Sequence, residues 1–206
     1  MARKQKRATI NGQDNLRPLP SVMQLDSYDK QSFVRGRSKW VEAAWLLVQW
    51  CLVSSSLPGA AHRRAILRLF GAQIGTGVEI KPGVRIKFPW RLRIGAHSWI
   101  GEDVWIDNLA DVHIGSNCCV SQGVYLCTGS HDWTKSTFDL IVRPIRVGNH
   151  SWIAARSTVG PGVTTGEGSV LALGSVATSD LAPWSIYSGS PAMFLRSRRR
   201  NASTRI

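Results

Sequence analysis

The chain has 206 residues, 43% of them hydrophobic, which is enough for one domain with a core and short arms. Its 26 Lys and Arg residues against 13 Asp and Glu give a formal net charge of +13, concentrated at the two ends. No recognised nucleic-acid-binding module accompanies this charge, so we do not predict nucleic acid as a partner; an anionic membrane surface, phosphates, or plain solvent around basic tails explain it better.

Residues 1–30 are polar and contain Pro18 and Pro20, which predicts a flexible basic arm. Residues 31–73 are predicted to be helical. The first helix covers residues 39–53, and its apolar run is shorter than the roughly 20 residues of a membrane-spanning helix. We therefore expect this helix to pack on protein, or to lay its Trp-rich face in a membrane interface.

A second helix is predicted over residues 62–70, after a Ser-rich and Pro-Gly break. Helical periodicity turns its apolar residues inward. The same periodicity places three arginines on its exposed side, namely Arg63, Arg64 and Arg68.

A repeat of six residues dominates the stretch 74–180. Its positions are Ile74, Ile80, Ile86, Ile94, Ile100, Ile106, Ile114, Val120, Leu126, Val147, Ile153, Val159, Thr165 and Leu171. A period of six is neither helical nor that of an alternating strand, and it holds over too many units for evenly spaced ordinary strands. Such short repeats indicate an all-β fold, a parallel β-helix of stacked coils. A short C-terminal segment and basic tail, residues 181–206, follow.

The register of the repeat is interrupted twice by our count. Ile106 and Ile114 are eight positions apart, and a larger excursion occupies residues 132–144. Loops that leave a rigid scaffold often carry function. His97 and His150 hold equivalent places in two similar repeats, which predicts a structural role for both at coil corners.

Several segments resemble the hexapeptide-repeat acyltransferases, most closely the O-acetyltransferases of colanic-acid and exopolysaccharide biosynthesis. They are the hexads, residues 105–109, residues 125–132 and the tail 189–196, and the likeness extends over about residues 30–200. The resemblance implies a left-handed β-helix, a homotrimer, acetyl-CoA as acyl donor and a sugar hydroxyl as acceptor. The absence of a recognisable secretory signal and of a Cys-x-x-Cys pair agrees with a cytoplasmic protein, with possible peripheral contact at the inner face of the membrane.

The resemblance places the catalytic histidine of the family on His131, as the general base for the acceptor hydroxyl. Histidine suits this task because its unperturbed pKa is about 6.5. Four residues are candidates to orient the base or to hold the acceptor, although such residues also cap turns. They are Asp107, Asn108, Asp132 and Asp139.

The same resemblance implies a site for coenzyme A between the coils of two subunits. Ala155, Leu173 and Thr178 would line the pantetheine arm, and Arg196 would meet the phosphates. Two departures weaken this match, since Leu173 replaces a small Ala and Ser179 stands where Lys is common.

His113 supports a rival interpretation. It precedes His131 by eighteen positions, so we expect both at the same corner of successive coils, where His113 would contact substrate or join a zinc site like that of γ-class carbonic anhydrases. Zinc needs three or four ligands, and the set is incomplete, so no metal is predicted. Two further alternatives stay open: an acetyltransferase of free small sugars or another small acceptor, and a non-catalytic scaffold.

Overall fold

A computed structural model describes residues 22–28 and 33–199 of the chain. Most of the predicted basic arm and the last seven residues of the tail lie outside this range. Helix α1 spans Lys39–Val48 and continues as a π-helix over Gln49–Val53, and α2 spans Ala61–Leu69. Ser38 caps α1, because its side chain accepts a hydrogen bond from the amide of Val41. Short 3-10 helices cover Leu25–Ser27 and Pro89–Arg91.

The remainder is built from short strands. In chain order they are β1 (Gln73–Ile74), β2 (Glu79–Ile80), β3 (Arg85–Ile86), β4 (Leu92–Ile94), β5 (Trp99–Ile100), β6 (Trp105–Asp107), β7 (Val112–Ile114), β8 (Cys119–Val120), β9 (Tyr125–Cys127), β10 (Gly129–His131), β11 (Leu140–Val142), β12 (Ile145–Val147), β13 (Trp152–Ile153), β14 (Thr158–Val159), β15 (Thr164–Thr165), β16 (Val170–Leu171), β17 (Val176–Ala177), β18 (Ser185–Gly189) and β19 (Ala192–Ser197).

The strands form the three faces of a parallel β-helix, as the repeat predicts. Face A contains β1, β4, β7, β12 and β15; face B runs from β2 through β5, β8, β13 and β16 to β18 and β19; face C contains β3, β6, β9, β14 and β17. The aliphatic hexad positions pair in register, as in Ile74 with Ile94 and Ile94 with Ile114, and point into the buried interior. The fold is a left-handed β-helix preceded by a helical segment.

The corners between faces A and B confirm the predicted role of His97 and His150. Both adopt left-handed backbone conformations, with φ of 57° and 59°. The equivalent corner of the first coil uses Gly77, where a Cβ atom would lie 2.4 Å from Nδ1 of His97. The histidine ring of one coil therefore fills the space that the glycine of the previous coil leaves open.

The register slips at three places, not two. The slip missed from the sequence lies between Ile86 and Ile94, where the 3-10 helix Pro89–Arg91 is inserted. Leu92 falls six positions after Ile86 and is itself buried, so the hexad pattern conceals the insertion. All three insertions leave the solenoid where face C turns into face A, here named the C–A corner.

The two helices cover the first coil. Trp45 is buried and donates a hydrogen bond from Nε1 to the carbonyl of Ile86, at 2.8 Å. The expectation that Arg63 is exposed is wrong. It is buried, and its guanidinium donates to four carbonyls between the end of the π-helix and α2, those of Val53, Ser55, Leu57 and Gly59.

Candidate active site

Buried polar side chains connect the insertions at the C–A corner. Asn108 is fully buried, accepts from the amide of Phe88 at 2.9 Å and donates to its carbonyl at 2.7 Å. Thr128, also fully buried, donates to the carbonyl of Asp107 at 2.9 Å and accepts from the amide of Ala110 at 3.0 Å. Asn108, a predicted acceptor contact, therefore faces the interior and stabilises the corner that carries the excursion.

The excursion is an antiparallel hairpin of β10 and β11, with His131 opposite Leu140. The side chains of its loop bond to one another. Asp132 accepts from the amide of Thr134 at 3.0 Å, and Lys135 forms an ion pair with Asp139 at 2.9 Å. Hydrogen bonds from Thr134 lower the pKa of Asp132, and the bond from Lys135 lowers the pKa of Asp139. Both carboxylates are therefore ionised at neutral pH and engaged within the loop.

His131 is held by the backbone and by aromatic rings. Its Nδ1 lies 2.8 Å from the carbonyl oxygen of Phe138. Because a carbonyl can only accept, Nδ1 carries a proton, and in the neutral ring Nε2 is left with its lone pair. The ring of Phe138 stacks on the imidazole at 4.2 Å and 2°, and the ring of Tyr28 meets it edge-on at 5.6 Å.

The carbonyl of Phe138 thus orients the histidine, and none of the four side chains considered from the sequence does so. Asp132 and Asp139 bond within the loop, Asn108 is buried, and Asp107 bonds elsewhere. This contact with the carbonyl could not be predicted from the sequence, because every residue has a backbone carbonyl and its residue type does not mark it as an acceptor. Tyr28 was missed because nothing in the sequence brings the N-terminal segment to the excursion, where the amide of Gln24 donates to the carbonyl of Ser136.

A polar and aromatic surface lies on face C beside the root of the hairpin, and we name it the face C ledge. It consists of Arg85, Lys87, Trp105, Asp107 and Tyr125. Trp105 stacks on Tyr125 at 4.6 Å, and the guanidinium of Arg85 lies 4.6 Å from the centroid of the Trp105 ring. Asp107 pairs with Lys87 at 3.1 Å and accepts from the hydroxyl of Tyr125 at 3.2 Å.

The hydroxyl of Tyr125 stays protonated in this surrounding. Burial is the largest cause that raises its pKa, followed by Cys127 and by the negative charge of Asp107. Trp105 and Tyr125 are twenty positions apart, a spacing that identifies them as neighbours only once the two-residue insertion at the corner is known.

The four residues implied for coenzyme A do not form one cluster within the chain. Ala155 and Leu173 are adjacent at the corner between faces B and C, where the amide of Gly174 donates to the carbonyl of Ala155. Leu173 is 73% exposed. Thr178 is exposed at the opposite edge of face C, directly after β17, and Arg196 lies on β19.

The expectation that His113 and His131 share a corner is wrong. His113 lies within β7 on face A, and one coil further on its strand partner is Arg146 of β12. The count of eighteen fails because the excursion fills the intervening corner and holds His131 outside the coils. In the described part of the chain, no group of three or more His, Cys, Asp or Glu side chains is placed to hold a metal ion.

Comparison with known proteins finds relatives that are named as acetyltransferases. No family model matches the chain. WcaF of Escherichia coli (strain K12), assigned by its name to colanic acid biosynthesis as an acetyltransferase, is 41% identical over 179 residues, which is 86% of this chain and 98% of that protein. The galactoside O-acetyltransferase of the same organism is 28% identical over 137 residues, covering 65% of this chain and 68% of that protein.

Among solved structures, a hexapeptide-repeat-containing acetyltransferase of Vibrio cholerae O1 biovar eltor, complexed with acetyl coenzyme A, superimposes with a TM-score of 0.72. It is 26% identical, and the match covers 79% of this chain and 89% of that chain.

Proposed function

The chain belongs to the hexapeptide-repeat acetyltransferases, in the family of the colanic acid biosynthesis acetyltransferases, and on this premise we propose that it acetylates a hydroxyl group of a sugar in a polysaccharide precursor. It is an acetyltransferase, and acetyl-CoA is its acyl donor. The observation that carries the sugar O-acetylation proposal is the geometry of His131, an imidazole with Nδ1 bonded to a carbonyl at the base of the excursion.

In the proposed reaction, Nε2 of His131 accepts the proton of the acceptor hydroxyl while that oxygen attacks the thioester carbonyl carbon. Collapse of the tetrahedral intermediate breaks the carbon–sulfur bond, and the proton passes from Nε2 to the departing sulfur as the thiol of coenzyme A. A backbone amide near the excursion stabilises the oxyanion. No covalent enzyme intermediate is needed, because both reactants are held together at the site.

For the acceptor, we propose the face C ledge beside the hairpin. The rings of Trp105 and Tyr125 offer an apolar surface against which a sugar ring can pack, and Asp107 offers a carboxylate to its hydroxyl groups. Asp132 and Asp139, which face each other where the hairpin strands end, are the second set of proposed acceptor contacts. For coenzyme A, we propose Ala155, Leu173 and Thr178 along the edges of face C, with Arg196 near the phosphates.

The test is an acetyl-transfer assay that follows thiol release from acetyl-CoA with nucleotide-linked, lipid-linked and free sugars as acceptors. Faster turnover with a linked sugar supports the polysaccharide precursor. Equal or faster turnover with a free sugar supports the alternative of a small-sugar acetyltransferase, which the similarity to the galactoside O-acetyltransferase keeps open. Absence of coenzyme A binding at millimolar concentration would leave only a scaffold role.

We also propose that the enzyme is a homotrimer. Trp99 and Trp152 on face B are 59% and 46% exposed in the single chain, and exposed aromatic surface of this kind commonly marks a contact between subunits. Light scattering at micromolar concentration is expected to give three times the chain mass of 22.7 kDa. A monomeric mass would contradict the trimer.

A further proposal is peripheral contact with an anionic membrane through α1. The outward side of this helix and its π-helical extension exposes Trp40, Leu47 and Trp50, which are 87%, 62% and 77% accessible. Arg37 and Lys39 are exposed, precede Trp40 in the sequence and form no ion pair in the described part of the chain. No helix described in residues 22–28 and 33–199 has the length and hydropathy of a membrane span. An interfacial position therefore fits this surface.

Binding to anionic lipid vesicles is expected to weaken as salt rises, because the attraction of basic side chains to the surface is screened. Replacement of Trp40, Trp45 and Trp50 by Ala should weaken it further, whereas Trp133→Ala, which removes an exposed Trp from the excursion, should not. Trp45 is buried, so the double variant of Trp40 and Trp50 separates lipid contact from loss of folding. Equal recovery with neutral and anionic vesicles at low salt would contradict the proposal.

A further inference from the structure

A column of polar side chains crosses face A next to the C–A corner. The strand registers place Arg93 beside His113 and His113 beside Arg146 on three successive coils. Neighbouring strands are about 4.8 Å apart, so the three side chains stand close together on one surface. We name Arg93, His113 and Arg146 the face A cluster. Neither arginine has an ion-pair partner among the described residues.

The hydrogen bond within this cluster defines where the proton of neutral His113 resides. Nη1 of Arg146 lies 3.0 Å from Nδ1 of His113. A guanidinium can only donate, so Nδ1 is the acceptor and the neutral ring carries its proton on Nε2. Burial, and then the charges of Arg146 and Arg93, lower the pKa of His113, while Asp111 acts in the opposite direction. His113 is therefore a neutral donor through Nε2.

That donor has no acceptor within the described residues. Nε2 of His113 is shielded from solvent and without a hydrogen-bond partner. Buried polar groups in native proteins are nearly always bonded, so this atom indicates a missing partner. The partner of the Nε2–H donor must be an acceptor. The two flanking guanidinium groups cannot supply it, because they also offer only N–H.

A groove on face A adjoins this cluster. An open groove of about 600 Å³ is lined by Arg68, Gln73, Arg93 and His113, by Gly75 and Gly95, and by the apolar residues Ala72, Ile74, Ile94 and Ile114. Arg146 is not part of this lining and is joined to it through its hydrogen bond to His113. The guanidinium of Arg68 bonds the carbonyl of Ile74, so it closes the groove at the helical end. Asp111 lines a small neighbouring cavity and forms no ion pair with either arginine in the part of the chain described.

We propose that the face A cluster binds a phosphate or diphosphate group. Two guanidinium groups without an ion pair, on either side of a neutral N–H donor, complement a dianion with several oxygens better than a single carboxylate. β7 and β12 both follow directly from insertions at the C–A corner, so the face A cluster lies next to the corner that carries the candidate active site. Resting on the proposed function, the phosphate is that of the sugar acceptor, which makes a sugar phosphate or diphosphate-linked sugar the substrate class.

The first test uses inorganic pyrophosphate and needs no catalysis. In NMR spectra of histidine side chains, pyrophosphate should shift the His113 signal and raise the pKa of that ring, because an anion beside it favours the charged form. The chain has five histidines, and the His113→Gln spectrum assigns the signal. By calorimetry, Arg93→Met and Arg146→Met should each weaken pyrophosphate binding about tenfold.

The matched control is Lys81→Met, which removes one positive charge from an exposed position beside face B. Its pyrophosphate affinity should equal that of the wild type. An equal loss in Lys81→Met and Arg93→Met would overturn the proposal, because the binding would then reflect net charge alone. An unchanged His113 signal, or binding of glucuronate as tight as that of pyrophosphate, would overturn it as well.

The second test identifies which reactant carries the phosphate. In the acetyl-transfer assay, Arg93→Met should raise KM for a phosphorylated sugar about tenfold relative to the matching free sugar, with KM for acetyl-CoA unchanged. A rise in KM for acetyl-CoA instead would assign the site to coenzyme A and overturn the acceptor assignment. His131→Ala should still bind pyrophosphate, so failure of the proposed catalysis and failure of this site remain distinguishable.

Discussion

His131→Ala is expected to lower kcat for acetyl transfer by about 10²–10⁴-fold, the range that a positioned general base contributes. The carbonyl of Phe138 holds Nδ1 at 2.8 Å, so Nε2 is the nitrogen available to a substrate, and Ala removes it. Affinity for coenzyme A should change little, because the residues proposed to bind it lie outside the excursion. His131→Asn should behave like the Ala variant, since an amide does not accept a proton at neutral pH.

Two controls come from the same hairpin. Asp132→Asn and Asp139→Asn remove carboxylates that bond to Thr134 and Lys135 and that are proposed acceptor contacts. They should raise KM for the sugar acceptor, whereas kcat should fall far less than in His131→Ala. His97→Asn provides a control elsewhere in the fold, because its left-handed backbone tolerates Asn and its role is at a corner. A His131→Ala enzyme with wild-type kcat would remove the chemical centre of the proposal and leave the fold assignment standing.

The fold could be predicted because the interior of a β-helix imposes a rule on every coil. Each hexad must supply one side chain to a narrow core, and aliphatic residues, with Thr165 as the polar exception among the hexad positions, fulfil this from Ile74 to Leu171. The rule fails where residues are inserted at a corner and an aliphatic residue still lies six positions after the previous one. Leu92 does so, and the insertion around Pro89 was missed for that reason.

The candidate site was predictable only as far as residue type is informative. His131 could be named because histidine at the root of an excursion, in a recognisable motif, points to proton transfer. What positions it is a carbonyl and two aromatic rings, contributed by Phe138 and by Tyr28 more than a hundred positions away. The predicted position of His113 relative to His131 was wrong for a related reason. The prediction assumed eighteen residues in each coil, and the excursion changes that number.

Arg63 shows that the sequence is similarly limited in predicting which side chains stabilise the fold. Helical periodicity assigned it to the exposed side of α2, yet it is 1% exposed. Its guanidinium bonds the carbonyl of Val53, at the end of the π-helix, and three carbonyls of the segment that connects the π-helix to α2. The burial lowers the pKa of the guanidinium, a cost that the four acceptors offset. Periodicity cannot anticipate this, because the acceptors belong to irregular backbone.

Arg63→Met is therefore expected to lower the free energy of unfolding by about 3 kcal/mol, since Met keeps the apolar stem but leaves one buried and three part-buried carbonyls without this donor. For a chain of this size, 1 kcal/mol corresponds to about 2–4 °C, so Tm should fall by about 6–12 °C. The neighbouring Arg64→Met loses one hydrogen bond to the carbonyl of Val78 and a marginal contact with Glu79, and should cost about 1 kcal/mol. Calorimetry measures both variants. Equal Tm values would mean that the four carbonyls find water instead, and that the connecting segment does not depend on Arg63.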